Sequence, residues 1–121
     1  MVDEFLSYDG ERSTTALTVR EDNIFVDGGR MSECGLIEHV AQSAAARVGW
    51  ECRVKGVEVP LGFIGSVNKF TAERLPLVGE RIVTTVEVVQ QVFAITLIQA
   101  ECRIGDETVA QGRMKIFIKE D

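Results

Sequence analysis

The segment Leu36–Gln42 is where this sequence concentrates groups that could do chemistry. Glu38, His39 and Gln42 stand there in an otherwise apolar predicted helix, and His39 is the only histidine of the chain. An unpaired carboxylate is costly to bury, so Glu38 is expected to be paired, to have a raised pKa, or to lie on the wall of a cavity. In the third case it is a candidate for proton transfer with a substrate.

The two titratable neighbours are expected to point in different directions. Consecutive helical residues are separated by about 100° around the axis, so Glu38 and His39 cannot simply share one substrate atom. A dimer could present both groups to nearby clefts, which makes His39 a second catalytic candidate; the alternative is a packed histidine with a polar partner. Gln42 lies one turn after Glu38, where it orients that carboxylate, binds a substrate carbonyl, or is a buried amide satisfied by the backbone.

Composition and charge limit the possible functions. The chain has 121 residues, a formal net charge of −6 and thirteen basic residues that are scattered rather than clustered. This distribution argues against a nucleic-acid-binding face and against adsorption to an anionic membrane. Cys34, Cys52 and Cys102 form no CxxC pair and have too few histidines beside them for a zinc site. We predict no metal, no organic cofactor, free thiols and a cytoplasmic protein.

The hydrophobic pattern predicts one helix among several strands. Ser32 is a plausible N-cap, and apolar residues then recur at helical spacing, so a helix is expected from about Ser32 to Gly49. Its alanine-rich sequence indicates a buried helix that neighbouring backbone can approach closely. Segments rich in Val, Ile, Thr and Phe predict strands at Thr14–Val19, Ile24–Val26, Leu61–Phe70, Arg81–Gln90, Phe93–Arg103 and Glu107–Ile118, with a hairpin turn at Gly105-Asp106.

The resulting order, β-β-α-β-β-β-β, predicts an α+β fold in which one long helix packs on a mostly antiparallel sheet. One domain spanning residues 1–121 is expected, because the length suits a single core and no linker-like stretch interrupts it.

Three short motifs carry a family resemblance. They are Glu38-x-x-x-Gln42 with Ala41, the pair Lys69-Phe70 followed by Val78-Gly79-Glu80, and the segment Ile104–Gly112. The first resembles the E-A-x-A-Q helix of the β-hydroxyacyl-acyl-carrier-protein dehydratases, and the others resemble the strand end, turn and last hairpin of that family. The element order resembles the family's hotdog fold, a curled antiparallel sheet wrapped around a central helix. The resemblance extends over roughly residues 14–118.

The resemblance implies an enzyme that acts on acyl thioesters. In that family a histidine removes a proton beside the thioester carbonyl, and an acid on the helix helps the hydroxyl group leave; Glu38 matches the acid. The family's histidine is missing here, because an ungapped alignment puts Ile24 in its place and an alignment on Asp27-Gly28-Gly29 puts Gly29 there. Loss of a positioned general base costs about 10²–10⁴-fold in rate, so dehydration needs a substitute, of which His39 is the only imidazole.

The same resemblance suggests a set of substrate-binding residues. Backbone N–H groups of Gly28 and Gly29, near the start of the helix, are candidates for holding the thioester oxygen, with an ordinary turn as the alternative. Gln42 and Gly65 complete the set. The expected ligand is an acyl thioester on acyl carrier protein or on coenzyme A.

A carrier protein and a second copy of the chain are the expected partners. Lys69 and Arg74 could meet the acidic surface of a carrier protein. By analogy with the hotdog fold, and because a curled sheet leaves an edge strand that a second copy can cover, we expect a homodimer or a higher homo-oligomer.

Three functions remain open at this point. The first is a 3-hydroxyacyl-[acyl-carrier-protein] dehydratase of fatty-acid or specialised lipid or polyene biosynthesis. The second is a hotdog acyl-CoA or acyl-carrier-protein thioesterase, which uses a helix carboxylate and does not need the missing histidine. The third is a non-catalytic, acyl-binding partner subunit of a heteromeric dehydratase, which the missing histidine favours.

Overall fold

A six-stranded antiparallel sheet packs against one long helix in the computed structural model, which describes residues 1–57 and 61–119. The elements, in chain order, are β1 (Glu4–Tyr8), β2 (Arg12–Thr18), β3 (Val26–Asp27), β4 (Arg30–Met31), α1 (Glu33–Lys55), β5 (Leu61–Ala72), β6 (Arg81–Val92), β7 (Ile95–Ile104) and β8 (Glu107–Lys119). The large sheet has the order β1-β2-β6-β7-β8-β5, and β3 and β4 form a separate small hairpin. The predicted α+β arrangement is therefore confirmed.

The helix is defined by capping at both ends. The Ser32 hydroxyl accepts a hydrogen bond from the Gly35 N–H at 3.1 Å, as expected of an N-cap. At the other end Gly56 adopts a left-handed conformation with φ of 70°, and its N–H donates to carbonyls of the last turn. The helix therefore continues past Gly49, where the apolar spacing predicted its end, and stops only at Lys55, before a residue that can adopt positive φ.

Only one face of α1 is buried against the sheet. Its buried residues are Gly35, Leu36, His39, Val40, Ser43, Ala44 and Arg47. The prediction of a buried helix is correct for this face and wrong for the opposite one, where Gln42 and Ala45 are exposed. The strands contribute most of the remaining core, including Leu17, Ile82, Val86, Ile98, Val109 and Met114. Within the described ranges, no helix combines the length and hydropathy that a membrane span requires.

Two predicted strand positions belong to turns instead. Ile24 is 89% exposed and precedes β3, which contains only Val26 and Asp27. Phe93 is 95% exposed and has a φ of 55°, so it lies in the β6–β7 turn and β7 begins at Ile95. The hairpin turn at Gly105-Asp106 is confirmed by the pairing of Ile104 with Glu107.

The β3–β4 hairpin leads directly into α1 and is held by backbone hydrogen bonds to the loop between β5 and β6. Its two turn residues, Gly28 and Gly29, have φ values of 62° and 78°, as the tight turn of a two-residue hairpin requires. The Met31 N–H donates to the Pro76 carbonyl at 2.8 Å, and the Val78 N–H donates to the Gly29 carbonyl at 3.0 Å. The loop between β5 and β6 therefore holds the hairpin that sets the start of the helix.

Candidate functional site

Glu38 and Gln42 form a polar pair on the side of α1 that turns away from the sheet. The Gln42 Nε2 donates to Glu38 Oε1 at 2.9 Å, while Glu38 is half-buried and Gln42 is exposed. This geometry supports the interpretation that Gln42 orients the carboxylate. The other oxygen, Glu38 Oε2, has no hydrogen-bond partner in the described part of the chain, so it is the atom available to a substrate.

His39 lies on the opposite side, inside the core. Its side chain is 0% exposed, with Nδ1 at 2.9 Å from the Met1 carbonyl oxygen and Nε2 at 2.7 Å from Thr84 Oγ1. A carbonyl oxygen only accepts, so Nδ1 carries the proton, and the neutral ring accepts the Thr84 hydroxyl at Nε2. A ring with both nitrogens occupied and no exposed surface favours the packed-histidine interpretation of His39 over the catalytic one.

Burial of His39 predicts a pH-dependent stability. Desolvation lowers the pKa of His39 below its ordinary value of 6.5, although the hydrogen bond to Met1 opposes the shift. Below 6.5 the unfolded chain binds a proton that the folded chain resists. The free energy of unfolding should therefore be undiminished by His39 above that pH and should fall as the pH falls below it. Urea denaturation at several values between about pH 5 and pH 8 measures this slope. A His39→Asn variant with the same slope as the parent would contradict the assignment.

The predicted glycine contacts lie on other elements than the Glu38–Gln42 pair. Gly28 and Gly29 lie in the exposed hairpin turn before α1. Gly65 lies on β5 at a bulge, where the pairing with β8 shifts register between Ile64 and Ser66. All three positions are thus irregular points of the backbone. The chain path places the hairpin next to the start of α1, whereas Gly65 belongs to an edge strand of the sheet.

Arg74 is committed to a hydrogen-bond network and is not a free surface cation. Its Nη1 and Nη2 donate to the two oxygens of Glu80 at 2.7 and 2.8 Å, and its Nε donates to Glu107 Oε2 at 2.9 Å. Glu80 Oε1 also accepts the Leu77 N–H at 2.8 Å. Of the two predicted carrier contacts, only the exposed Lys69 lacks an ion pair in the described part of the chain. The Arg74 network instead stabilises the loop that holds the β3–β4 hairpin.

Replacing Glu80 by Gln should destabilise the fold modestly and in a pH-dependent way. The Arg74 guanidinium and the Leu77 N–H hold the pKa of Glu80 at about 2, against an ordinary 4.5. The stabilisation is present above pH 4.5 and is lost as the pH falls toward 2. Because the pair is partly exposed to solvent, we expect a loss of about 1 kcal/mol at neutral pH, measured by urea denaturation. Glu107→Gln is the matched control and should cost less; equal losses would contradict the expectation.

An open groove across the sheet is not lined by any of the predicted site residues. It has a volume of about 530 Å³ and lies across β1, β2, β6 and β7. Its lining is mostly polar and includes Tyr8, Arg12, Thr85, Glu87, Gln99 and Arg103. Among the described residues, no cluster of three or more His, Cys, Asp or Glu side chains is arranged as metal ligands would be.

Comparison with known protein families identifies the chain. Residues 1–121 match the model of the ApeP-like family, described as ApeP dehydratase. The chain belongs to the ApeP-like dehydratase family. This confirms the resemblance to hotdog dehydratases that Glu38-x-x-x-Gln42 and the later motifs indicated. No curated protein matches the sequence of this ApeP-like chain.

Solved structures confirm the hotdog fold of the ApeP-like chain. The dehydratase heterocomplex ApeI:P from Xenorhabdus doucetiae has a TM-score of 0.91 at 14% identity, covering 99% of this chain and 83% of that one. A hypothetical thioesterase with coenzyme A from Streptococcus pneumoniae has a TM-score of 0.78 at 10% identity, covering 98% and 89%. Zebra fish thioesterase superfamily member 2 has a TM-score of 0.74 at 19% identity, covering 95% and 79%. At such identities the likeness establishes the fold alone.

Proposed function

We propose that this chain is one subunit of a heteromeric 3-hydroxyacyl-thioester dehydratase, to which it contributes Glu38 and Gln42. The observation that carries the proposal is a contrast within α1: a half-exposed carboxylate aligned at 2.9 Å by Gln42, beside the chain's only imidazole sealed in the core. The dehydratase reaction uses an acid and a histidine, and only the acid is accessible to solvent in this chain. Membership of a dehydratase family supports the reaction.

A two-chain enzyme has a precedent among the similar structures. The ApeI:P protein from Xenorhabdus doucetiae is a dehydratase heterocomplex. For the present chain, such a partner would supply the histidine that the sequence lacks. The competing arrangement is the homodimer, in which His39 would have to leave its contacts with Met1 and Thr84 to reach a substrate.

In the proposed reaction the partner's base removes a proton from C2 of the 3-hydroxyacyl thioester. The electron pair of that C–H bond forms the C2=C3 double bond, and the C3–O bond breaks. The carboxylic acid of Glu38 gives its proton to the departing hydroxyl group, which leaves as water. The hydrogen bond from Gln42 to Glu38 Oε1 holds the side chain in one rotamer, so that Oε2 is already oriented for this transfer. The predicted role of Gly28 and Gly29 is to hold the thioester carbonyl, with Gly65 as a further substrate contact.

A thioesterase is the second candidate. The observation that favours it is the same half-exposed Glu38, because a carboxylate that activates water needs no histidine. This activity would release a free thiol, whereas dehydration would leave the thioester intact and change only the C2–C3 bond. The expected substrate in both cases is an acyl thioester on acyl carrier protein or on coenzyme A.

The deciding experiment supplies crotonyl and 3-hydroxybutyryl thioesters, on coenzyme A and on carrier protein, to the chain alone and to its mixture with a histidine-containing hotdog dehydratase subunit from the same organism. We expect interconversion only in the mixture, together with a stable complex of the two chains. Turnover by the chain alone would replace the heteromeric proposal by a homomeric dehydratase. Thiol release would identify a thioesterase. Failure of the mixture to form a complex or to turn over either substrate would overturn the proposal.

A further inference from the structure

The β3–β4 hairpin has an open tip and a fixed base. A Cβ atom built on Gly28 or Gly29 would meet no heavy atom within 4 Å, so there is free space beside the turn. At the base, Met31 is fully buried, and the Ser32 N–H donates to the Phe25 carbonyl at 2.8 Å. The backbone hydrogen bonds to the loop between β5 and β6 hold the same base from the other side. The turn therefore has room for a ligand on supports that are held in place.

The base of the hairpin packs on Gly35, in the first turn of α1, more closely than a larger residue would allow. Gly35 is buried, and a Cβ atom built there would lie 2.6 Å from Phe25 Cβ and 2.7 Å from Met31 Cγ. Carbon atoms in ordinary contact are about 3.5 Å apart or more, so a side chain at this position requires a displacement of about 1 Å. Phe25 Cβ is bonded directly to the backbone, so the chain leading into β3 would have to move with it.

Gly35 lies close to Glu38 on the same helix. Three residues separate them by about 4.5 Å along the helix axis, and residues at this spacing are neighbours on the helix surface. The packing of the hairpin on Gly35 therefore sets its position relative to the helical turn that carries the carboxylate. At Gly49, the other glycine of α1, a Cβ atom would meet nothing within 4 Å. The close approach is thus particular to Gly35.

We propose that Gly35 is a positioning residue for the acyl thioester, because its missing side chain lets the hairpin pack on α1 and so sets the separation between the Gly28–Gly29 turn and Glu38. This inference rests on the proposed function, in which the turn holds the thioester carbonyl and Glu38 protonates the departing hydroxyl group. Both groups must meet one substrate at the same time, so their separation decides whether they do. Gly35 itself acts only through the hairpin.

The position of the turn matters most while the proton is being removed from C2. Part of the electron density of the C2–H bond then reaches the thioester oxygen, which gains negative charge. A backbone N–H that donates to this oxygen stabilises the charge only at hydrogen-bond distance. A misplacement of about 1 Å lengthens such a bond out of its effective range and lowers the rate by about 10²-fold.

The variant Gly35→Ala tests the inference in the full chain, assayed with the histidine-bearing partner and a 3-hydroxybutyryl thioester. We expect kcat to fall by about 10²-fold. The added methyl group favours helix formation, so α1 itself should persist. Turnover is expressed per folded molecule, with folding verified by circular dichroism, so that a loss of stability does not enter the comparison.

Gly49→Ala is the matched control, because it makes the same change on the same helix. The new methyl group meets no heavy atom within 4 Å, so kcat should stay within about twofold of the parent. If Gly35→Ala fails to fold, Phe25→Ala takes its place. That variant removes the ring whose Cγ lies 3.2 Å from a Cβ built on Gly35, which leaves the hairpin base loose rather than displaced, and a lower kcat is expected again.

A spectroscopic measurement separates positioning from packing. Crotonyl-coenzyme A labelled with ¹³C at the thioester carbonyl is bound to the assembled enzyme, and its carbonyl stretching frequency is measured by infrared difference spectroscopy. A hydrogen bond to the carbonyl oxygen lowers this frequency. We expect the lowering in the parent and in Gly49→Ala, and the loss of most of it in Gly35→Ala. A glycine needed only for packing would change the melting temperature and leave the frequency unaltered.

Three results would overturn this inference and leave the proposed function in place, provided that the parent mixture turns over the substrate. They are a parental kcat in Gly35→Ala, a parental carbonyl frequency in that variant, and equal losses in Gly35→Ala and Gly49→Ala. A parent mixture without turnover would instead overturn the proposed function, and this inference with it.

Discussion

Replacing Glu38 by Gln is expected to reduce dehydration by the assembled enzyme by about 10²–10⁴-fold, the contribution of a positioned acid or base. The amide keeps the size of the side chain and can still accept the Gln42 hydrogen bond, so the geometry of α1 should persist. What it loses is the transferable proton. The loss should therefore fall on kcat rather than on KM, measured with a 3-hydroxyacyl thioester and the histidine-bearing partner.

Glu33→Gln is the matched control for this variant. Glu33 is an exposed carboxylate in the first turn of the same helix, so its replacement removes an equal charge without touching the Glu38–Gln42 pair. It should leave kcat within about twofold of the parent, as expected for a surface change. Gln42→Ala should produce an intermediate loss, because Glu38 then keeps its carboxyl group but loses the hydrogen bond that orients it. A Glu38→Gln enzyme with parental kcat would remove Glu38 from the mechanism.

Replacing His39 by Ala is expected to destabilise the fold by about 3 kcal/mol, the scale of a buried cavity combined with lost hydrogen bonds. The substitution empties the volume of a fully buried ring and leaves Thr84 Oγ1 and the Met1 carbonyl without their partner. Urea or guanidinium denaturation gives the change as a shift in midpoint at constant slope.

His39→Asn separates the structural interpretation from the catalytic one. An Asn amide can donate to the Met1 carbonyl in place of Nδ1, so it should recover part of the lost stability. Turnover per folded molecule of the assembled enzyme should remain close to parental in this variant. If stability recovers while turnover disappears, His39 acts in catalysis and the homodimer arrangement gains support.

The predictable parts of the fold are those that local chemistry decides. Ser32 as an N-cap, the Gly105-Asp106 hairpin and the four long strands after the helix depend on residues close to one another in sequence. The apolar spacing lapses near Gly49 and so predicts too early an end for the helix, whereas Gly56, with its left-handed backbone, sets the true end. Strand β1 carries no clear alternation, so the sequence pattern does not predict it; it pairs with β2 through a bulge.

The candidate site also has a part that the sequence predicts and a part that only the folded structure reveals. The Glu38–Gln42 bond joins residues one turn apart, so helical geometry alone predicts it. The partner of His39 is Thr84, 45 residues away, and only the tertiary arrangement reveals it. Arg47 offered one sequence signal, its place four residues after Ser43 on a helix face that is otherwise suited to burial. An arginine at such a position is usually exposed to solvent, so the burial of Arg47 could not be inferred from the spacing alone.

The strand order has a consequence for the chain during its synthesis. Consecutive strands pair at β1–β2, β3–β4, β6–β7 and β7–β8. β2 pairs with β6, and β5 pairs with β8. Both outer parts of the sheet can therefore form only after strands that are synthesised much later. Long-range pairing of this kind slows folding, because the intervening chain must be ordered before the contacts form. During translation α1 therefore leaves the ribosome before Thr84, the hydrogen-bond partner of His39, has been synthesised. We expect the nascent chain to fold only after β8 has emerged, with a chaperone able to occupy the waiting helix until then.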